Sequence, residues 1–164
     1  MMTPNLDNRV LVTILGYLKE KNDEELAEEL FRMIAEESYF LSPVSFSKKP
    51  IIQRDGSLRL ENDTKLRFPT VRNEEGKAYY PAFTDRSELE KWDIDFNIHT
   101  VLTLCIDDYV DMLTLDNENA GIVLNPFNQS FIIDKDFLIH LLQVRKENKP
   151  EDVRKTIMDG LKHV

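Results

Sequence analysis

The sequence predicts an α+β fold: a mixed sheet with a β-hairpin, packed against helices and preceded by an N-terminal helical hairpin. Three observations carry that expectation. Residues 1–37 show a helix-period apolar pattern, two strand-like runs flank a short glycine-containing turn at 73–76, and the later strands alternate with helical segments. At 164 residues, 41% hydrophobic and 31% charged, the chain fits one domain. Its expected parts are the helical hairpin (1–37), an α+β core (38–145) and a C-terminal helix (150–164).

Val10, Leu11, Ile14, Leu15 and Leu18 follow the spacing of one helical face. Asn22 is a good N-cap type with Glu25 three residues on, as in a capping box, and Leu26, Ala27, Leu30, Phe31 and Ile34 supply a second buried stripe. The aromatic and β-branched run Tyr39 to Phe46 predicts a strand interrupted by Pro43, which belongs at an edge or bulge because proline donates no ladder hydrogen bond. Asp55-Gly56 marks a turn, with a short hairpin around it. Two strands follow, 66–72 and 77–83, with Gly76 at the turn position that tolerates positive φ.

Thr84 or Asp85 then caps a short helix that ends near Trp92, with Leu89 and Trp92 on its inner face and Glu88 at the third position if Asp85 is the cap. Residues 99–104 read as a strand. Ile106, Val110 and Leu113 mark a helix whose outer face bears Asp107, Asp108 and Asp111. Residues 120–124 form an apolar strand ended by Asn125-Pro126. Phe131 to Ile133 is another, and Asp134 caps a helix with Phe137, Leu138, Leu141 and Leu142 inward. Pro150 suits the first turn of a last helix that aligns Val153, Ile157 and Leu161.

The formal charge is -9, and no third of the chain is basic. An acidic surface repels phosphate backbones and anionic lipid, so neither nucleic acid nor a membrane is the expected partner. One local exception lies in residues 48–72, where Lys48, Lys49, Arg54, Arg59, Lys65, Arg67 and Arg72 oppose only Asp55, Glu61 and Asp63. Without Trp or Tyr for base stacking, that stretch reads as a solvated loop and strand face. Between Asp93 and Asp136 nine carboxylates meet one base, Lys135, a bias that suits a basic partner. The apolar run 10–18 has Asp7 upstream, Lys19-Glu20-Lys21 after it and no small-residue cleavage site, so a helix is expected there rather than a secretory signal. One cysteine, Cys105, is too few for a disulfide framework or a thiolate zinc site, which fits a reducing cytoplasm.

The middle of the chain resembles the N-terminal domain of the SseB family, the enhanced serine sensitivity protein-like group. The matching residues are Leu66-Arg67-Phe68-Pro69-Thr70-Val71, then Glu75 to Asp85, with Leu89 and Trp92. Ser38 to Val44 and Gly121-Ile122-Val123-Leu124-Asn125-Pro126 are similar to flanking parts of the same pattern, so the resemblance covers residues 24–145. It implies the fold and a bacterial cytoplasmic setting, and brings no catalytic residue set. Some members carry a second domain, whose functions do not transfer. The signature positions Gly76, Pro81, Phe83, Thr84, Asp85, Trp92, Asn125 and Pro126 all have folding roles: a turn, an aromatic corner, a helix cap and a strand end.

Catalytic readings find little support. Asp107-Asp108-Tyr109-Val110-Asp111 matches the D-D-x-x-D string that holds magnesium and diphosphate in prenyl-chain synthases, but those are larger, all-helical proteins. His99, His140 and His163 show no metal-pair spacing. A nucleophilic pair of Cys105 and His99 is conceivable, yet the acidic residues after Cys105 would raise its pKa. No phosphate-binding glycine loop or nucleophile elbow is present. No catalytic residue, metal or cofactor is therefore expected. The expected function is a non-enzymatic protein-binding or regulatory module, with Asp107, Asp108, Asp111, Asp116 and Glu118 as its candidate interaction face. The alternatives are an acidic immunity-type protein that masks a basic toxin, and an enzyme in which Asp107, Asp111 and His99 converge in a pocket.

Overall fold

A computed structural model describes residues 6–36, 38–95, 99–116 and 118–146. The helix expected over 150–164, with His163, lies outside them. Helices α1 (Arg9–Glu20) and α2 (Glu24–Glu36) form the expected N-terminal pair. Leu11, Ile14 and Leu15 are buried, with Leu18 packed beside them, but Val10 is 62% exposed. At about 100° per residue Val10 falls about 90° from the centre of that stripe, beyond the reach of the core. The cap of α2 is Asp23 rather than Asn22. Its Oδ1 accepts from the amides of Glu25 (3.1 Å) and Leu26 (3.2 Å), and its carbonyl accepts from Ala27. A carboxylate at this end also complements the helix dipole.

The next element, β1 (Tyr39–Phe46), runs eight residues without the interruption expected at Pro43. It is the middle strand of an antiparallel sheet, between β4 (Leu66–Arg67) and β7 (Thr100–Cys105). A separate ribbon pairs β2 (Ile51–Ile52) with β3 (Leu58–Arg59) around Gly56, whose φ is +85°. The expected strand 66–72 is divided: β4 joins β1, whereas β5 (Val71–Arg72) pairs with β6 (Ala78–Ala82) across the Gly76 turn. Gly76 has a φ of +84°, and its amide donates to Asn73 O. The second sheet has the order β5-β6-β8-β9, with β8 (Asn119–Leu124) parallel to β6 and β9 (Phe131–Asp134) antiparallel to β8.

Two prolines explain why there are two sheets. Leu41 and Phe83 exchange both backbone hydrogen bonds (2.8 and 3.1 Å) and join β1 to the end of β6. In antiparallel register the next bonded pair, two residues along each strand, is Pro43 opposite Pro81. Neither carries an amide proton, so the ladder stops after one bridge. Beyond that point β1 turns to β4 at Ser45 and Arg67, and β6 to β5 at Tyr79 and Val71.

Between β6 and β8 the chain forms α3 (Arg86–Leu89), β7 and α4 (Ile106–Leu115); after β9 it forms α5 (Lys135–Lys146). Helices α1, α2, α4 and α5 share one core with Phe40, Tyr80, Ala82, Ile122, Leu124 and Ile133. Alternation sends their neighbours Leu41 and Phe83 to the opposite face, where they meet Leu89, Trp92 and Val101 in a smaller cluster. Gly121 sets the spacing of β8 and β9: a Cβ there would lie 2.1 Å from Ile133 O. The result is the expected α+β architecture, with an N-terminal helical pair and a mixed sheet.

Candidate functional site

The parallel strands β6 and β8 end side by side, at Phe83-Thr84-Asp85 and Asn125-Pro126. In open α/β sheets the space beyond such carboxyl ends is the usual ligand crevice. Here the chain fills it with its own polar groups. Asn125 is fully buried with a φ of +45°, a left-handed conformation that asparagine tolerates better than most residues. Its amide donates to Ala82 O (3.1 Å), and its carbonyl accepts from Asn128 and Ser130. Its Oδ1 accepts from the Thr84 amide (3.0 Å), and its Nδ2 donates to Thr84 Oγ1 (2.9 Å) and Gln129 Oε1 (3.0 Å).

Asp85, rather than Thr84, caps α3: its Oδ1 accepts from the Glu88 amide at 2.9 Å, while its Oδ2 lies 3.0 Å from Thr84 Oγ1. The buried Glu88 carboxylate receives Lys91 Nζ and Asn128 Nδ2, each with a contact of 2.9 Å. Asn8, buried at the start of α1, donates through Nδ2 to Tyr39 O (2.8 Å) and Thr84 O (2.9 Å). Phe83, Trp92 and Phe127 close the corner, with ring centroids 5.8 to 6.3 Å apart.

An open cleft of about 590 Å³ adjoins this corner, lined by residues that include Asp7, Arg9, Thr13, Thr84 and Asp85. Its charged groups are engaged with one another. Arg9 donates to both Asp7 oxygens (2.9 and 2.8 Å), and these bonds hold the Asp7 carboxyl down at about 2. The remaining described carboxylate of the cleft, Asp85, is occupied by its cap bond to the Glu88 amide.

The acidic residues divide by role. Asp107 pairs with Arg145 (2.9 Å), which also donates to Ala35 O and so links α4, α5 and α2. Asp108 Oδ2 accepts from the Cys105 amide (2.9 Å) and completes the capping box of α4. Asp116 accepts from the Tyr80 hydroxyl (2.7 Å), from Asn119 Nδ2 and from the Glu118 amide (2.8 Å). Burial pushes the Asp116 carboxyl up, but the Tyr80, Asn119 and Glu118 hydrogen bonds and the Lys135 charge outweigh it and hold the group below its ordinary value. Asp111 and Glu118 are exposed, and Leu115, one turn beyond Asp111, is 89% exposed.

Neither described cavity brings Asp107, Asp111 and His99 together. A cavity of about 190 Å³ is lined by Asp107, Cys105 and Arg145 among others, with neither Asp111 nor His99 in its wall. His99 precedes β7 and Cys105 ends it, so the two stand roughly 20 Å apart at 3.3 Å per residue. Burial, with the Asp108 carboxylate adding to it, raises the Cys105 thiol pKa. Among the described residues no group of three or more His, Cys, Asp or Glu could hold a metal ion, and no helix is long and apolar enough to cross a membrane.

The β2–β3 ribbon is the short hairpin expected around Gly56; among the described residues it pairs with no other strand, and it exposes Ile51 and Ile52, with Leu60 exposed just after β3 and Leu66 on β4, apolar side chains that sequence reasoning did not single out. Lys48, Lys49, Arg54, Arg59, Lys65 and Arg67 are exposed around them. The available signal was apolar residues interleaved with that basic run.

These features define an α+β domain whose signature residues build a strand-to-helix corner, with its free surface chemistry elsewhere. Residues 5–139 match the family model described as SseB protein N-terminal domain, and the chain belongs to that family. The match begins ahead of α1, so it takes in the helical pair as well as the sheets. No curated protein and no solved structure matches the chain.

Proposed function

We propose that this domain is a non-enzymatic protein-binding or regulatory module of the SseB N-terminal type, acting in a bacterial cytoplasm without a cofactor. One observation carries the reading: the β2–β3 ribbon pairs with neither sheet and keeps Ile51 and Ile52 in water, with Ile52 at 75% exposure, and Leu60 just after β3 is exposed beside them. Neighbouring apolar side chains left in water are the mark of a surface that a partner covers. The ribbon's edge strands also offer unpaired backbone groups for strand addition.

A second reading, an acidic immunity-type protein that masks a basic partner, has support from Asp108, Asp111 and the exposed Leu115 on α4. A photo-crosslinking residue placed at Ile51 or at Leu115, in the full chain and in cells, separates the two. Adducts at position 51 are the expected result. Adducts with a basic protein at position 115 alone would favour the masking role, and none at either position would refute both.

A further inference from the structure

The ribbon has a matching surface on the same chain. In β2–β3 the register places Ile51 directly opposite Arg59, so an isoleucine and a cation share one ribbon face. On α4 the residues Asp111 and Leu115 lie four apart, so a carboxylate and an 89% exposed leucine share one helical face. Asp108 and Glu118 extend the negative charge of that stripe, while Lys49 and Arg54 extend the positive charge of the ribbon. None of Lys49, Arg54, Arg59, Asp108, Asp111 or Glu118 forms an ion pair among the described residues.

We infer that the ribbon of one copy docks on the α4 stripe of a second copy, Ile51 against Leu115 and Arg59 against Asp111, and that a reciprocal contact closes a two-fold dimer. This rests on the reading of the ribbon as a protein-binding element. Apolar contact at the centre and opposite charges around it are the composition of a specific interface. A nucleic acid would match the ribbon's cations but not its aliphatic side chains, and it would face a chain of charge -9. Repulsion between two such chains is screened beyond about 10 Å at 0.1 M salt, so contacts between the patches decide the outcome.

Sedimentation equilibrium of the full chain tests this, with the variants Arg59→Glu and Asp111→Lys. Wild type should dimerise with rising concentration at about 0.1 M salt and dissociate at about 1 M. Each variant alone should weaken dimerisation by about tenfold or more, because like charges then face each other. An equimolar mixture of the two should dimerise again, since both of its contacts regain opposite charges. Far-ultraviolet circular dichroism of each variant verifies its fold. A wild type that stays monomeric, a dimer indifferent to both variants, or a mixture that fails to recover would overturn the proposal. The crosslink at position 51 keeps the underlying reading separate: an adduct with a different protein, beside a monomeric wild type, would sink self-association and leave the binding module standing. Retention of a salt-sensitive complex with single-stranded RNA, lost in Arg59→Glu, would replace both.

Discussion

Replacing Asn125 with alanine should be among the most damaging single changes to this domain. The substitution removes the acceptor of the Thr84 amide at 3.0 Å, and a buried donor left unpaired costs about 1–3 kcal/mol. It also forces a Cβ-bearing residue without asparagine's tolerance to hold a φ of +45°, which adds about 1 kcal/mol. The expected loss is about 2–4 kcal/mol, a large part of the 5–15 kcal/mol that holds a typical domain together. Glycine separates the two contributions: Asn125→Gly relieves the backbone but not the lost hydrogen bonds, so it should fall between wild type and Asn125→Ala. Equilibrium urea unfolding measures both variants. The sole tryptophan, Trp92, reports the corner itself because it packs on Phe83 and Phe127, and circular dichroism reports the whole fold. A loss below about 1 kcal/mol in Asn125→Ala, or a glycine variant less stable than the alanine one, would refute the argument.

Gly121→Ala drives a Cβ to 2.1 Å from Ile133 O, so β8 and β9 must separate; overpacking of about 2–3 kcal/mol should lower the melting temperature by at least about 5 °C, and an unchanged melt would contradict the geometry. Asp116 has a folded pKa below its unfolded one, so its contribution is present above the ordinary carboxylate range and disappears as pH falls through the folded value. Urea midpoints of wild type and Asp116→Asn should therefore converge below pH of about 4, and parallel curves would dispose of the idea. Cys105→Ser keeps the cap of α4 with a better capping residue, so stability should stay within about 1 kcal/mol of wild type and crosslinking at Ile51 should persist; loss of function with an intact fold would return the thiol to consideration.

The local features were legible because each depends on a few neighbouring residues. The Gly76 turn, the Asp85 cap with Glu88 at its third position, and the Phe83–Trp92 contact all follow from spacing within a dozen residues. The inaccurate expectations concern long-range pairing. Leu66 to Arg72 reads as one strand because nothing local shows that Arg67 pairs with Ser45 in one sheet and Val71 with Tyr79 in the other. Pro43 by itself reads as a defect of its own strand. Its effect depends on Pro81, 38 residues away, and only the Leu41–Phe83 bridge shows that the two prolines face one another. The acidic face was half legible: helical spacing identifies Asp107, Asp108 and Asp111 as outward, but not that Arg145 from α5 engages Asp107 or that Tyr80 engages Asp116.

That division bears on where function is to be sought. The signature residues serve local folding: Gly76 turns β5 into β6, Pro81 ends the ladder with β1, Asp85 caps α3 and Asn125 ties β8 to Thr84. These groups spend their hydrogen bonds on one another, and a donor or acceptor so engaged has little left for a ligand. Exposed apolar and charged side chains outside the signature include those of the ribbon and of the outer face of α4. On the proposed reading, the corner holds the fold while the ribbon and α4 carry the binding. Binding experiments directed at Ile51, Arg59, Asp111 and Leu115 therefore test the proposed binding role, whereas substitutions at Thr84, Asp85 or Asn125 are expected to act through folding.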